Sequence, residues 1–264
     1  MLYFPPFLGG IFPQFDSPAT ILLPFISFCA AASSIYIIND LSDLQQDIHH
    51  PTKCRRPLPA GMIKPPVANL VAFVLIAGAL FFGWAVSDEF LLFLVAYLLI
   101  SVVYSWRLKD VPIVELFCVV SGFLLRLLAG GEAFSVPVSG WLFLSVFLLA
   151  LFLVCGKRLS ELCHEGGRSP AEFRPVLSRY PKGFLEGGMF MSGAAVLVTY
   201  TMYVLAHPVL VYTVPLCFFG LMAYLLRVLS GQGGDPTRAL LHDPVIFLVC
   251  IVWVCLVGYA IYGV

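Results

Sequence analysis

Eight apolar runs decide what this chain can fold into. They lie at about 17–40, 66–87, 89–106, 112–134, 139–156, 183–206, 209–229 and 244–263. Each is at or near the length that crosses the ~30 Å hydrocarbon core of a bilayer. Lipid offers no partner for backbone N–H and C=O groups, so these runs are predicted to be helices. Composition agrees: 60% of the 264 residues are hydrophobic and only 11% charged, more apolar surface than a soluble domain of this size can bury. The expected fold is all-α, a polytopic membrane bundle, with 1–264 as a single transmembrane domain. Residues 1–16 are apolar but broken by Pro5, Pro6, Gly9, Gly10 and Pro13, which rules out an ordinary span there. The eight cysteines fall mostly inside apolar runs without Cys-x-x-Cys or zinc spacing, and read as small buried side chains. No nucleic-acid partner is expected.

Charge orients the bundle. Lys53, Arg55, Arg56 and Lys64 lie in the first long loop, Arg107 and Lys109 two loops later, and Lys157, Arg158, Arg168, Arg174, Arg179 and Lys182 two loops after that. The intervening loops carry no Lys or Arg, so every basic residue except Arg126 falls on one side, which the positive-inside rule makes cytoplasmic. The longer loops share that side, and chemistry is expected there, at the inner face of the cytoplasmic membrane.

The richest stretch on that side is Asn39-Asp40-Leu-Ser-Asp43-Leu-Gln-Gln-Asp47, directly behind the first run. Read as the last turns of one continuous helix, Asp40, Asp43 and Asp47 fall within about 60° of arc, with Asn39 beside it. Three carboxylates at the negative end of a helix repel one another and the dipole. A divalent cation reverses that cost. Mg²⁺ is the natural candidate, since it takes hard oxygen ligands from few carboxylates and fills its shell with water and phosphate oxygens. Lys53, Arg55 and Arg56 follow closely and supply cations for further phosphate oxygens. The alternative is a solvated polar loop that ends a span.

Other polar groups are sparser. Lys157, Arg158 and Glu161 share a helical face at the end of another run, either as an i,i+4 ion pair with snorkelling anchors or as a phosphate contact. Tyr104 and Trp106 suit an aromatic belt, beside Arg107 and Lys109. Glu115 lies about one turn into the next helix, with Lys109 as a candidate partner. Arg126 is deeper and is expected to be structural, paired with Glu132 or helix-end carbonyls. Asp243 before Pro244 reads as a helix start.

Together these motifs resemble the UbiA prenyltransferase superfamily. The carriers are Asn39-Asp40-x-x-Asp43-x-x-x-Asp47 and Pro51-Thr-Lys53-x-Arg55-Arg56-Pro57-Leu58-x-x-Gly61. Tyr104-Ser105-x-x-Leu108-Lys109, Leu125-Arg126-x-x-Ala129-Gly130-Gly131, Gly156-Lys157-Arg158-x-x-Glu161-Leu162 and Asp235-Pro236 with Asp243 follow in the order seen in its decaprenyl-phosphate phosphoribosyltransferase branch. The resemblance implies eight to nine helices around a cytoplasm-facing polar cavity, with 1–16 a short apolar remnant of a first helix. It also implies Mg²⁺-dependent transfer of 5-phosphoribosyl from phosphoribosyl pyrophosphate (PRPP) to a polyprenyl phosphate. Asp40, Asp43 and Asp47 would then be the metal-binding and catalytic residues, and Asn39, Lys53, Arg55, Arg56, Tyr104, Lys109, Lys157, Arg158 and Glu161 would bind substrate. Prenyltransferases of the superfamily carry a second acidic motif where this chain has Lys157, Arg158 and Glu161. Two other classes compete: a prenyltransferase acting on an aromatic acceptor, and a cation-coupled transporter. Against the transporter, the acids lie at a helix end and no pair of broken helices is visible.

Overall fold

The computed structural model describes residues 1–11, 17–49, 53–163, 175–205 and 208–263. Its helices are α1 (Phe4–Leu8), α2 (Pro18–Ser42), α3 (Leu44–Asp47), α4 (Pro65–Trp84), α5 (Asp88–Trp106), α6 (Val114–Ala133), α7 (Gly140–Cys163), α8 (Phe184–Val204), α9 (Val214–Leu229), α10 (Pro236–His242) and α11 (Pro244–Tyr262). Among the described residues there is no strand, and eight segments are long and apolar enough to cross a membrane. They coincide with the eight expected runs. Of the broken stretch 1–16, only the single short helix α1 and its flanks lie within the described residues.

The described residues form two compact units, one of residues 1–6 and 11–137, the other of 7–10 and 138–264. In the first unit, helix starts follow from local sequence. Ser17 accepts the Ala19 N–H at 3.3 Å ahead of Pro18, and Ser87 accepts the Phe90 N–H at 3.1 Å ahead of Asp88 and Glu89. Helix α2 packs on α4, and α5 on α6. The Ser27 hydroxyl donates to the Ala79 carbonyl at 2.8 Å, a polar tie between two apolar helices. Phe28, Ala31, Ala79, Phe90, Leu94 and Tyr97 form the buried centre, with Phe28 edge-on to Phe90 at 5.5 Å. Gly83 permits the close approach of α4 and α5, since a Cβ there would lie 2.8 Å from Leu94 Cδ2.

In the second unit, α7 is the most enclosed span and runs along α8. Gly193 and Gly156 make room for the rings of Phe152 and Tyr224. The 231–235 loop lies against α7 so closely that a Cβ on Gly234 would fall 2.3 Å from the Gly156 carbonyl oxygen. Asp243 caps α11 by accepting the Val245 and Ile246 N–H groups, as Asp-Pro implied.

Five details differ from the sequence reading. Of the eight cysteines only Cys155 is buried, while Cys29, Cys163, Cys250 and Cys255 are exposed, as side chains on lipid-facing helix surfaces can be. Helix α2 does not continue through Asp47: it ends at Ser42, Asp43 adopts φ −93°, ψ 1°, and α3 is a separate single turn. Acids crowding a negative helix end favour that break. Helix α7 continues well beyond residue 156, to Cys163, because Arg158 and Glu161 satisfy each other within it. Arg126 meets Tyr97 rather than Glu132. Its Nη2 donates to the Tyr97 hydroxyl at 2.8 Å, its guanidinium lies 4.6 Å from that ring's centroid, and its Nη1 donates to the Gly122 carbonyl at 3.3 Å. Lys109 pairs with Asp43, not with the buried Glu115.

Candidate active site

In the first unit, the break at Asp43 sets the geometry of the acidic stretch. Asp40 stays on the last turns of α2, Asp43 occupies the junction, and Asp47 closes α3 with only 2% of its side chain exposed. The Asp43 N–H donates to the Asn39 carbonyl and the Asp47 N–H to the Asp43 carbonyl, both at 2.9 Å, so the corner is held by backbone bonds. Asn39 Nδ2 donates to Asp43 Oδ2 at 3.2 Å.

The basic loop folds back on this corner. A 3₁₀ turn at Lys53–Arg55 is extended by the Arg56 N–H to the Lys53 carbonyl at 2.9 Å, and Gly61 at φ +74° supplies the left-handed turn that brings the chain to α4. Arg56 Nη1 lies 2.7 Å from Asp40 Oδ1 and 3.3 Å from Asp47 Oδ2, while Lys53 Nζ lies 3.2 Å from Asp47 Oδ1. Lys109, from the 3₁₀ turn Leu108–Asp110, pairs with Asp43. Every carboxylate of the stretch is thus matched by a cation. Arg55 is exposed and makes no ion pair among the described residues, and Tyr104 is half-buried on the last turns of α5.

Among the described residues, no three His, Cys, Asp or Glu side chains gather as a metal cage. Mg²⁺ does not require one, because it is held through one or two carboxylates with waters and phosphate oxygens. Asp40 and Asp47 both approach a single nitrogen of Arg56 within 3.3 Å, so one cation already bridges them. Hard carboxylate oxygens that share one cation fit Mg²⁺.

The second unit holds the other expected group. Arg158 is buried and its Nη1 reaches both Glu161 oxygens, at 3.1 and 2.8 Å. Lys157 turns elsewhere, to Asp235 Oδ2 at 3.3 Å, so the i,i+4 pair with Glu161 does not form. Burial alone would raise the Asp235 carboxyl, but the Arg238 backbone N–H and the Lys157 charge together hold it below its ordinary value. Asp235 also caps α10, and the Tyr224 hydroxyl pins the adjacent Gly234 carbonyl at 2.6 Å. Sequence reading left Asp235 outside the substrate-binding set. Asp235-Pro236 entered only as one of the motifs that carry the resemblance, and nothing in the sequence tied it to Lys157 some eighty residues away.

Comparison with known proteins bears on the whole chain. The UbiA prenyltransferase family matches residues 3–251, across both units. The chain belongs to the UbiA prenyltransferase family. Within UbiA proteins it is 32% identical over 260 residues to a decaprenyl-phosphate phosphoribosyltransferase of Mycobacterium tuberculosis (strain CDC 1551 / Oshkosh), covering 96% of this chain and 85% of that one. A protein of the same description from Corynebacterium glutamicum is 31% identical, covering 92% of this chain and 76% of its own length. Among solved structures, a UbiA homolog from Archaeoglobus fulgidus bound to DMAPP and Mg²⁺ aligns with TM-score 0.74 at 19% identity, covering 100% of this chain and 95% of that one. The fold is therefore that of UbiA proteins, and the chain is a multi-pass membrane protein.

Proposed function

We propose that this chain transfers 5-phosphoribosyl from PRPP to a polyprenyl phosphate, with Mg²⁺, at the cytoplasmic face of the membrane, and that 1–264 acts as one domain. The carrying observation is identity of 31–32% with decaprenyl-phosphate phosphoribosyltransferases over more than nine-tenths of this chain. The pattern of charge supports it. A prenyltransferase reading calls for a second acidic motif, and by resemblance its place is held here by Lys157, Arg158 and Glu161.

Asp40 and Asp47 are the proposed metal-holding pair, with Asn39 and Asp43 shaping the corner. Bound Mg²⁺ would neutralise the leaving pyrophosphate. Arg56 and Lys53, released from the carboxylates, turn to donor phosphate oxygens, and the exposed Arg55 adds another contact. Lys109 stays on Asp43 and keeps that corner folded. In the reaction, the bond from the ribose anomeric carbon to pyrophosphate oxygen breaks as a lipid phosphate oxygen bonds from the opposite face. Positive charge grows on the ribose as the leaving group departs, so positioning and neutralisation matter more than a strong base. The lipid phosphate is already anionic at pH 7 and gives up no proton. In the second unit, Lys157 keeps a partly exposed ammonium for phosphate, whereas Arg158 acts through the position of Glu161.

Pyrophosphate release from PRPP by the purified chain should require added polyprenyl phosphate and stop with EDTA. Release that ignores either one contradicts the proposal.

A further inference from the structure

The first unit carries an open apolar groove of about 480 Å³ between α5 and α6. Leu99 and Val103 of α5, Leu108 of the following 3₁₀ turn, Ile113 ahead of α6, and Phe117 and Ser121 of α6 line it. The Ser121 hydroxyl is spent within the helix, donating to the Cys118 carbonyl at 2.7 Å, so the wall is apolar. Val103, Ile113 and Phe117 remain exposed rather than closing over one another.

Three features set this groove apart from ordinary lipid-facing helix. Ile113 holds φ +66°, a region that is costly for a β-branched side chain, and so the backbone is strained at the groove's edge. Arg107 directly precedes Leu108 and lies one turn beyond Val103; it is exposed and makes no ion pair among the described residues. The third feature is the 3₁₀ turn Leu108–Asp110, which lends Leu108 to the groove and sets Lys109 on Asp43. The groove therefore ends at the residue before Lys109, whose side chain reaches the acidic corner.

We infer that this groove seats the isoprenoid chain of the acceptor, with Arg107 taking the lipid phosphate at its rim. The inference rests on the phosphoribosyl-transfer reading for the identity of the lipid. Bulk lipid tails are as apolar as the groove, so burial alone selects nothing. Selection comes from the shape of the groove and from the charged contact at Arg107, whose loss should weaken lipid binding roughly tenfold. An acceptor seated this way arrives phosphate first beside Lys109 and Asp43.

The test is photolabelling of the full chain in nanodiscs, without PRPP, by a polyprenyl phosphate carrying a diazirine on its chain. Label should map to 99–121, and excess unlabelled polyprenyl phosphate should remove it while the same excess of phosphatidylglycerol does not. Arg107→Gln should weaken labelling about tenfold. In turnover, Phe117→Trp should raise KM for a long-chain acceptor and leave KM for PRPP and for a short isoprenyl phosphate unmoved. Displacement by both lipids alike, label mapping to other helices, or a Phe117→Trp effect on both acceptors equally would overturn the groove. Labelling needs no turnover, so failure of the groove and failure of the reaction are read separately.

Discussion

Arg56 binds Asp40 at 2.7 Å across sixteen residues of sequence, and the same nitrogen reaches Asp47. A substrate-side cation of the basic loop thus occupies the carboxylates assigned to the metal. Donor binding on this account is an exchange, in which Arg56 leaves the acids for phosphate as a divalent ion takes its place.

Arg56→Ala should separate the two halves of that exchange. Without the competing guanidinium, Mn²⁺ bound to the donor-free protein, read by electron paramagnetic resonance, should tighten by about fivefold, the scale of a partly exposed ion pair near 1 kcal/mol. Transfer should nevertheless fall, because the phosphate contact is lost. Weaker Mn²⁺ binding would show that Arg56 supports the acids instead of competing for them.

Asp40→Asn and Asp47→Asn keep shape while removing charge. Each should lower turnover on the order of 10²–10³-fold, the scale of losing a group that stabilises developing charge. Steady-state assays over a range of Mg²⁺ would check this, and a variant with normal turnover would remove its residue from the metal pair.

Lys157 and Arg158 look interchangeable in sequence, and the structure separates them. Arg158 is buried against Glu161, so Arg158→Ala should cost about 1.5–3 kcal/mol of stability, visible as a lower Tm in detergent. At neutral pH Lys157→Ala should leave Tm nearly unchanged, because its ion pair with Asp235 is partly exposed, and should raise KM for donor or acceptor about tenfold. Equal effects of the two on Tm would contradict the division of roles.

Asp235 gives a pH dependence with a defined sign. Its carboxyl is held below the ordinary value, so its contribution to stability is present above that value and is lost as pH falls through the depressed one. Asp235→Asn should therefore flatten the acid limb of a Tm-versus-pH curve. Lys157→Ala should move that limb to higher pH, since one of the groups holding the carboxyl down is gone.

How far sequence reached varies with the physics of each feature. The eight spans were legible because lipid admits no other backbone for long apolar runs. The acidic stretch and its basic tail were legible as a pair, since their charges adjoin in the chain. The break at Asp43 was not, because helical arithmetic assumes the helix goes on, whereas three acids and the dipole oppose it. Long-range matches escaped for a similar reason: Lys109 with Asp43, Lys157 with Asp235 and Arg126 with Tyr97 each depend on which helices pack together. The Arg158–Glu161 pair, three residues apart on one face, was within reach of sequence alone.

Orientation rests on the positive-inside rule and is open to a direct check. Single cysteines at positions 60 and 178, placed after the eight natural cysteines are replaced, should react with an impermeant maleimide only when the cytoplasmic face is exposed. Labelling of the two from opposite faces would overturn the assignment.

The central claim is the identity of the donor. Purified chain with Mg²⁺ and polyprenyl phosphate would be given PRPP labelled in its ribose or, in parallel, a labelled prenyl diphosphate with an aromatic acceptor. The account predicts ribose label in the extracted lipid, abolished by EDTA and by Asp47→Asn, and no prenyl label in the aromatic product. Prenyl transfer without ribose transfer would contradict it.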